Sequence, residues 1–289
     1  MDDLDFLGKP EKSTPQDQLT FDPRIALAFF RLQGKPRQIK AGDALFAENE
    51  KSHAFLLQRS KMYLLTSGTI QLSVQGKAVG VVKAGEIFGE MASLTQMPRT
   101  ATATAATDCN VIALDDKQFK SALQEQPEFA LTLMVLMTWR MRKMLAASAA
   151  RVEGMAADAY PMLDKNLLAE LSNELGENAV MRYPEGKAIV EAGQSGLFMY
   201  IVLAGQISIR MRDRIVEEIG PGGIFGEMAL VDSGERMGTA IAETNCEVLA
   251  VSRATFLDLV RSNPEFGLAI LSTIGERLRN VAASFGGNT

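Results

Sequence analysis

FGEMASLTQMPRTAT, residues 88–102, returns as FGEMALVDSGERMGT, residues 225–239, at a constant offset of 137 positions. In each copy a glycine (Gly89, Gly226) precedes a glutamate (Glu90, Glu227), and an arginine (Arg99, Arg236) follows nine residues after the glutamate. A repeat that keeps one acid, one base and one backbone-permissive residue while the rest drifts is keeping a geometry. The glycine lets the chain turn sharply and lets a ligand approach the backbone. The Glu-Met-Ala segment suits a single helical turn, whose first N–H groups are unpaired and attract anions. An arginine brought back onto that turn adds a charge-assisted donor matched to phosphate. The carboxylate would repel a phosphate unless something else donates to it, and a sugar hydroxyl is such a donor. The set describes a sugar-phosphate pocket. The competing reading is an ion pair across the turn, Glu90 with Arg99 and Glu227 with Arg236.

The repeat runs well beyond this stretch. Tyr63 and Tyr200, Gly68 and Gly205, Gly85 and Gly222, Cys109 and Cys246, and Pro127 and Pro264 all keep the offset of 137. The register breaks upstream of Tyr63: Glu48 matches Glu191, so the first copy carries about six extra residues near 52–59, a loop tip or extended hairpin holding His53. Inside each copy, short β-rich runs punctuated by glycine give way to helical periodicity after the proline. The pattern predicts a mainly β fold with helices, two tandem β-roll or jelly-roll domains of about eight strands, each followed by a long helix. Shorter helices are expected at 23–32 and 163–175, the second closed by Gly176. The expected domains are a loose tail at 1–20, a first domain at 21–145, a helical linker at 146–160 and a second domain at 161–289. Arg140, Arg142, Lys143, Arg277 and Arg279, at helical spacing, are expected on wet helix faces.

The chain has 289 residues, a formal net charge of −5, 47% hydrophobic and 22% charged residues, the balance of a globular protein with a core in each half. No run reaches the roughly 18 apolar residues of a membrane helix. The acidic start lacks the basic-then-apolar pattern of a secretory signal, so the expected location is cytoplasmic. The two cysteines are repeat equivalents, expected to be buried and unpaired. With His53 the single histidine, neither a zinc site, a kinase catalytic loop nor a Ser/His or Cys/His pair can be assembled. The expectation is a non-enzymatic protein with no cofactor.

The first motif, with Gly68 and Gly85 at their spacing, closely resembles the phosphate-binding cassette of cyclic-nucleotide-binding domains; the second resembles it too. The resemblance covers roughly residues 25–145 and 165–285. It implies a β-roll with a helical lid and hinge. It also implies that Glu90 and Glu227 take the ribose 2′-hydroxyl, and that Arg99 and Arg236 take the cyclic phosphate. The backbone of Gly89 and Ala92, and of Gly226 and Ala229, would complete the cradle, with Met91 and Met228 in the same turns and Thr100 and Met237 beside the arginines. The second copy departs from the family pattern: Pro98-Arg99-Thr100-Ala101 becomes Glu235-Arg236-Met237-Gly238. There Glu235 would compete for the arginine, and Met237 is bulky where small residues are usual.

The whole chain resembles the two-domain part of cyclic-nucleotide-dependent kinase regulatory subunits, and the sensor of catabolite-activator-type regulators. Only residues 285–289 follow the last helical pattern, so no DNA-reading domain and no DNA partner is expected. The resemblance implies a cyclic mononucleotide ligand, cAMP first, with cGMP tolerated mainly by the first domain. It also implies an effector protein of unknown identity, and hinge helices that offer a homodimer surface. Two alternatives stay open: an assembly scaffold that binds no nucleotide, and a sensor of cGMP or a cyclic dinucleotide.

Overall fold

The computed structural model describes residues 21–51, 60–147, 163–211, 214–231 and 235–286. The expected tail at 1–20, the extra residues around His53 and nearly all of the expected linker lie outside them.

Each copy opens on a helix with an aspartate cap. In α1 (Pro23–Gln33) the Asp22 carboxylate accepts from the Arg24 N–H at 2.8 Å, and proline fills the first turn. In α5 (Lys165–Leu175) Asp164 accepts from two N–H groups, and Gly176 ends the helix with φ of 71°. Then come eight strands per copy. The first set is β1 (Lys35–Ile39), β2 (Ala44–Phe46), β3 (Lys61–Ser67), β4 (Thr69–Val74), β5 (Lys77–Lys83), β6 (Ile87–Phe88), β7 (Thr102–Ala105) and β8 (Cys109–Asp115). The second is β9 (Val180–Tyr183), β10 (Ala188–Val190), β11 (Phe198–Ala204), β12 (Ile207–Met211), β13 (Arg214–Ile219), β14 (Ile224–Phe225), β15 (Thr239–Ala242) and β16 (Cys246–Ser252).

The strands form two antiparallel four-stranded sheets per copy, ordered β1-β8-β3-β6 and β2-β7-β4-β5, then β9-β16-β11-β14 and β10-β15-β12-β13. The two sheets of a copy close on one apolar core: Ile39, Leu65, Ile70, Phe88 and Val111 in the first, and Val202, Ile207, Phe225 and Val248 in the second. The repeat holds at the level of register. Leu72 faces Gly80 in the first copy as Ile209 faces Glu217 in the second, and a bulge follows each pair.

The recurring glycine–cysteine pair has a steric cause. Gly68 and Gly205 both sit at φ of 90°, and a Cβ on either would lie 2.5 Å from a backbone oxygen and 2.6 Å from the thiol sulfur of Cys109 or Cys246. The cysteines are buried and unpaired, each thiol facing two backbone carbonyls.

After the strands, α3 (Asp116–Glu125) and α6 (Arg253–Ser262) precede the long helices α4 (Glu128–Ala147) and α7 (Pro264–Gly286). The sequence reading missed α3 and α6, although Asp115 and Gln118 form a full capping box and Ser252 caps α6 through the Thr255 N–H. The long helices share a single core: Phe129, Leu133, Met134 and Met137 of α4 cluster with Phe266, Ile270, Leu271 and Ile274 of α7 and with Phe29 and Phe30 of α1. A buried glycine of α7, Gly275, lets the helix approach Thr95 and Met137 of the first copy. Phe129, Leu131, Leu133, Met134 and Met137 of α4 are thus covered within the chain, while Trp139 is 58% exposed. Among the described residues no helix is long and apolar enough to cross a membrane.

Candidate functional site

The repeated motif becomes strand, left-handed glycine, helical turn. In the first copy β6 ends at Phe88, Gly89 takes φ of 73°, and α2 (Glu90–Thr95) begins; in the second, β14 ends at Phe225, Gly226 takes φ of 71°, and a 3-10 turn spans Glu227–Leu230. Side chains are strained at such φ, and a Cβ on Gly89 would also lie 2.9 Å from Nη1 of Arg99.

The arginines return to the turn as expected, though not to pair with the glutamates. Arg99 Nη1 donates to the Gly89 carbonyl at 2.8 Å and Nη2 to the Lys61 carbonyl at 2.9 Å, while the guanidinium carbon stands 4.1 Å from the centroid of the Phe46 ring. Arg236 repeats this with the Gly226 and Phe198 carbonyls, each at 2.8 Å. Among the described residues no carboxylate forms an ion pair with either. Burial pulls both guanidinium pKa values down; Tyr63, then Glu50 and Glu90, counter it at Arg99, and Tyr200, then Glu227, at Arg236. Arg99 is only 5% exposed. A guanidinium has five donors, and among the described residues two of those of Arg99 have acceptors, which leaves three N–H groups to be met. Glu235 is exposed, and the carboxylate acting on Arg236 is Glu227 instead.

The glutamates are buried and are taken by arginines from the long helices, positions the sequence reading had put on wet faces. Arg140 of α4 pairs through Nη1 with Glu90, and its Nη2 donates to the Ile87 carbonyl at 3.0 Å. Arg277 of α7, 137 residues later, pairs with Glu227 at 3.1 Å and is itself only 7% exposed. Arg279 donates to the Pro98 carbonyl at 2.9 Å, tying the second copy's last helix to the first copy's motif. The side chains of Arg142 and Lys143 lie outside the described residues. A long charged side chain on an apolar helix was the only signal for this role, and the matching positions of Arg140 and Arg277 in the repeat could have revealed it.

In the first copy Gly89, Glu90, Met91, Ala92, Arg99 and Thr100 all line one cavity of about 900 Å³. Its opposite wall is Gly80, Val81 and Val82 of β5 with Val135, Leu136, Thr138, Trp139 and Arg140 of α4, and Val231 of the second copy reaches in. Thr138 Oγ1 is buried without a hydrogen-bond partner. Glu86 stands at the exposed rim and accepts from the Lys83 N–H at 2.8 Å. Arg99 and Arg140 against Glu90 leave the interior with one net positive charge. A volume of this size, mostly apolar with a few convergent polar groups, is that of a small-molecule site. Of the second set, Gly226, Glu227, Met228 and Ala229 lie on the equivalent turn, and Met237 is half-buried beside Arg236.

The curated relatives include the cyclic AMP receptor protein of Thermus thermophilus, 35% identical over 102 residues, covering 34% of this chain and 47% of that protein. They also include the cAMP-dependent protein kinase regulatory subunit of Debaryomyces hansenii, 27% identical over 227 residues, covering 78% of this chain and 44% of that one. The chain therefore spans less than half the length of these two relatives. Among solved structures, cAMP bound PfPKA-R (141-441) matches over 89% of this chain and 82% of that one, at 20% identity and a TM-score of 0.34. The regulatory domain of Toxoplasma gondii PKA with cAMP matches over 90% and 89%, at 21% identity and a TM-score of 0.29. Residues 36–126 and 180–263, together more than half of the chain, each match the cyclic nucleotide-binding domain, and the chain belongs to that family as a tandem pair.

Proposed function

We propose that the first copy binds a cyclic purine mononucleotide, cAMP before cGMP, and that the chain is a non-enzymatic cytoplasmic receptor that reports occupancy to a protein partner through α4. One observation carries the reading: Arg99 is a buried cation with no ion-pair partner among the described residues and with unmet N–H groups, inside a cavity of nucleotide size. A charge desolvated without a counter-ion is costly, and an anion bound there offsets that cost. The cyclic phosphodiester carries one negative charge, matching the net charge of the site. Its oxygens would accept from the free N–H groups of Arg99, with the Gly89 and Ala92 backbone completing the cradle. The ribose 2′-hydroxyl would donate to Glu90. The base would lie between β5 and α4, where the Thr138 hydroxyl awaits a partner.

Glu90 is the link to signalling, because its carboxylate already holds Arg140 of α4. A ribose hydroxyl on the same carboxylate competes with or reorients that pair, and α4 must repack. Such a shift requires that the two arrangements of α4 differ in affinity for the ligand. Arg99→Ala should lower cAMP affinity about 10–150-fold, the worth of a charged hydrogen bond of ~1.5–3 kcal/mol, while the chain still unfolds cooperatively. Titration calorimetry with cAMP and cGMP measures this. Undiminished binding by Arg99→Ala would sink the reading. Hydrogen exchange over residues 127–147 that is identical with and without ligand would leave a binder that does not signal.

A further inference from the structure

The two cassettes are not equivalent, and the difference is at one position of β5 and β13. The shared register puts Glu217, opposite Ile209, where the first copy has Gly80, opposite Leu72. Gly80 lines the ligand cavity, and a Cβ built on it meets nothing within 4 Å. In the second copy that space receives a carboxylate. Glu217 accepts from Arg277 Nη2 at 2.8 Å and Nε at 3.2 Å, with side chains 14% and 8% exposed. The same arginine pairs with Glu227 and donates to the Ile224 carbonyl. Among the described residues Arg277 thus holds two acids where Arg140 holds one.

Two consequences follow for a ligand. Arg277 is shared by Glu217 and Glu227, so this interior holds one acid more than the first and, with Glu217 ionised, no net positive charge to offer an anion. Where the first copy's cavity is lined by a bare glycine, β13 also carries a side chain held by Arg277. We infer that Glu217 closes the second cassette, so that cyclic nucleotide binds only the first, and that the Glu217–Arg277–Glu227 cluster serves to hold α7 rigid. That rigidity has a use: two residues either side of Arg277, the same helix presents Gly275 to Thr95 and Arg279 to the Pro98 carbonyl, both on the first cassette. The locked copy is then a fixed wall against which the ligand-binding copy moves. Glu217 is in this sense the residue that decides which site is a receptor, in contrast to the sequence expectation of two binding cassettes.

The inference rests on the reading of the first cassette as a cyclic-nucleotide site, and calorimetric stoichiometry with cAMP on the full chain separates the two. The unaltered chain should bind one cAMP, and Arg99→Ala should bind it about 10–150-fold more weakly. Glu217→Gly, which restores the first copy's residue, should bind two, the second lost again in Glu217→Gly with Arg236→Ala. The reciprocal Gly80→Glu, placed in open space, should reduce the unaltered chain from one to none while its melt stays cooperative. Two cAMP per unaltered chain, or a Glu217→Gly chain that folds and stays at one, overturns the inference. If the unaltered chain binds none but Glu217→Gly gains one site dependent on Arg236, the first-cassette reading fails and this one stands. Should Glu217→Gly not fold, full cAMP binding by Gly80→Glu is the overturning result.

Discussion

Arg140→Met is the most informative single change, because it removes the guanidinium that holds a buried carboxylate and keeps much of the side chain's bulk. Glu90 is 1% exposed, and Arg140 supplies its ion pair as well as a 3.0 Å bond to the Ile87 carbonyl. Breaking a fully buried pair costs about 3–5 kcal/mol. The Arg140 side chain is 30% exposed, so part of its charge is already solvated and the lower end applies. The neighbouring Arg99 compensates further. An expected loss of about 2–3 kcal/mol remains, including ~1 kcal/mol for the carbonyl bond. Glu90→Gln leaves an amide that can still bond, so Arg140→Met with Glu90→Gln should be less destabilised than the two single losses added. The expected coupling is about 1.5–2 kcal/mol. Urea unfolding of the four proteins, followed by far-UV dichroism, reads this from midpoints at constant slope. A loss under about 0.5 kcal/mol in Arg140→Met, or strict additivity in the double variant, would refute the argument that α4 is fastened to the cassette through Glu90.

Three further outcomes follow from the packing. Gly68→Ala and Gly205→Ala should each cost more than about 3 kcal/mol in urea unfolding, since positive φ and a backbone oxygen 2.5 Å from the new Cβ act together; a loss below ~1 kcal/mol at either refutes the steric account. Gly275→Ala should fail to give the ~1 kcal/mol that alanine normally adds in a helix, because its Cβ would press on Thr95 Cγ2 at 3.0 Å, and Gly275→Leu should cost at least ~2 kcal/mol; ordinary helix-propensity gains would show that α7 does not rest on the first cassette. Burial raises the carboxyl pKa of Glu217 above its ordinary 4.5, partly countered by Arg277, with Glu227 adding to the rise. The folded state therefore binds this proton at higher pH than the unfolded chain, and the group's charged form costs stability above the folded value. As pH falls from the raised folded value toward the ordinary 4.5, the unaltered chain should gain stability relative to Glu217→Gln, and a difference that stays flat contradicts the assignment.

The sequence by itself determined the architecture. Register-exact duplication, glycines at fixed positions and a change of period after the proline are local signals, set by backbone sterics and by alternation of apolar residues. They placed the strands, the long helices, the turn after Gly89 and Gly226, and the return of each arginine to that turn. The short helices α3 and α6 were legible in their caps but were overshadowed by the stronger pattern that follows. What only the tertiary structure decided was the partner of each charge. The pairing of Glu90 with Arg140 spans 50 residues and depends on how α4 crosses the cassette, which neither residue's neighbours encode. The same holds for Glu217: in the sequence it is one of two adjacent acids in a strand, and its equivalence to Gly80 in the repeat gives no warning of its partner. Only folding α7 over β13 brings Arg277 to it and takes both charges out of water, because ion pairing depends on distance and dielectric, and both are properties of the packed chain.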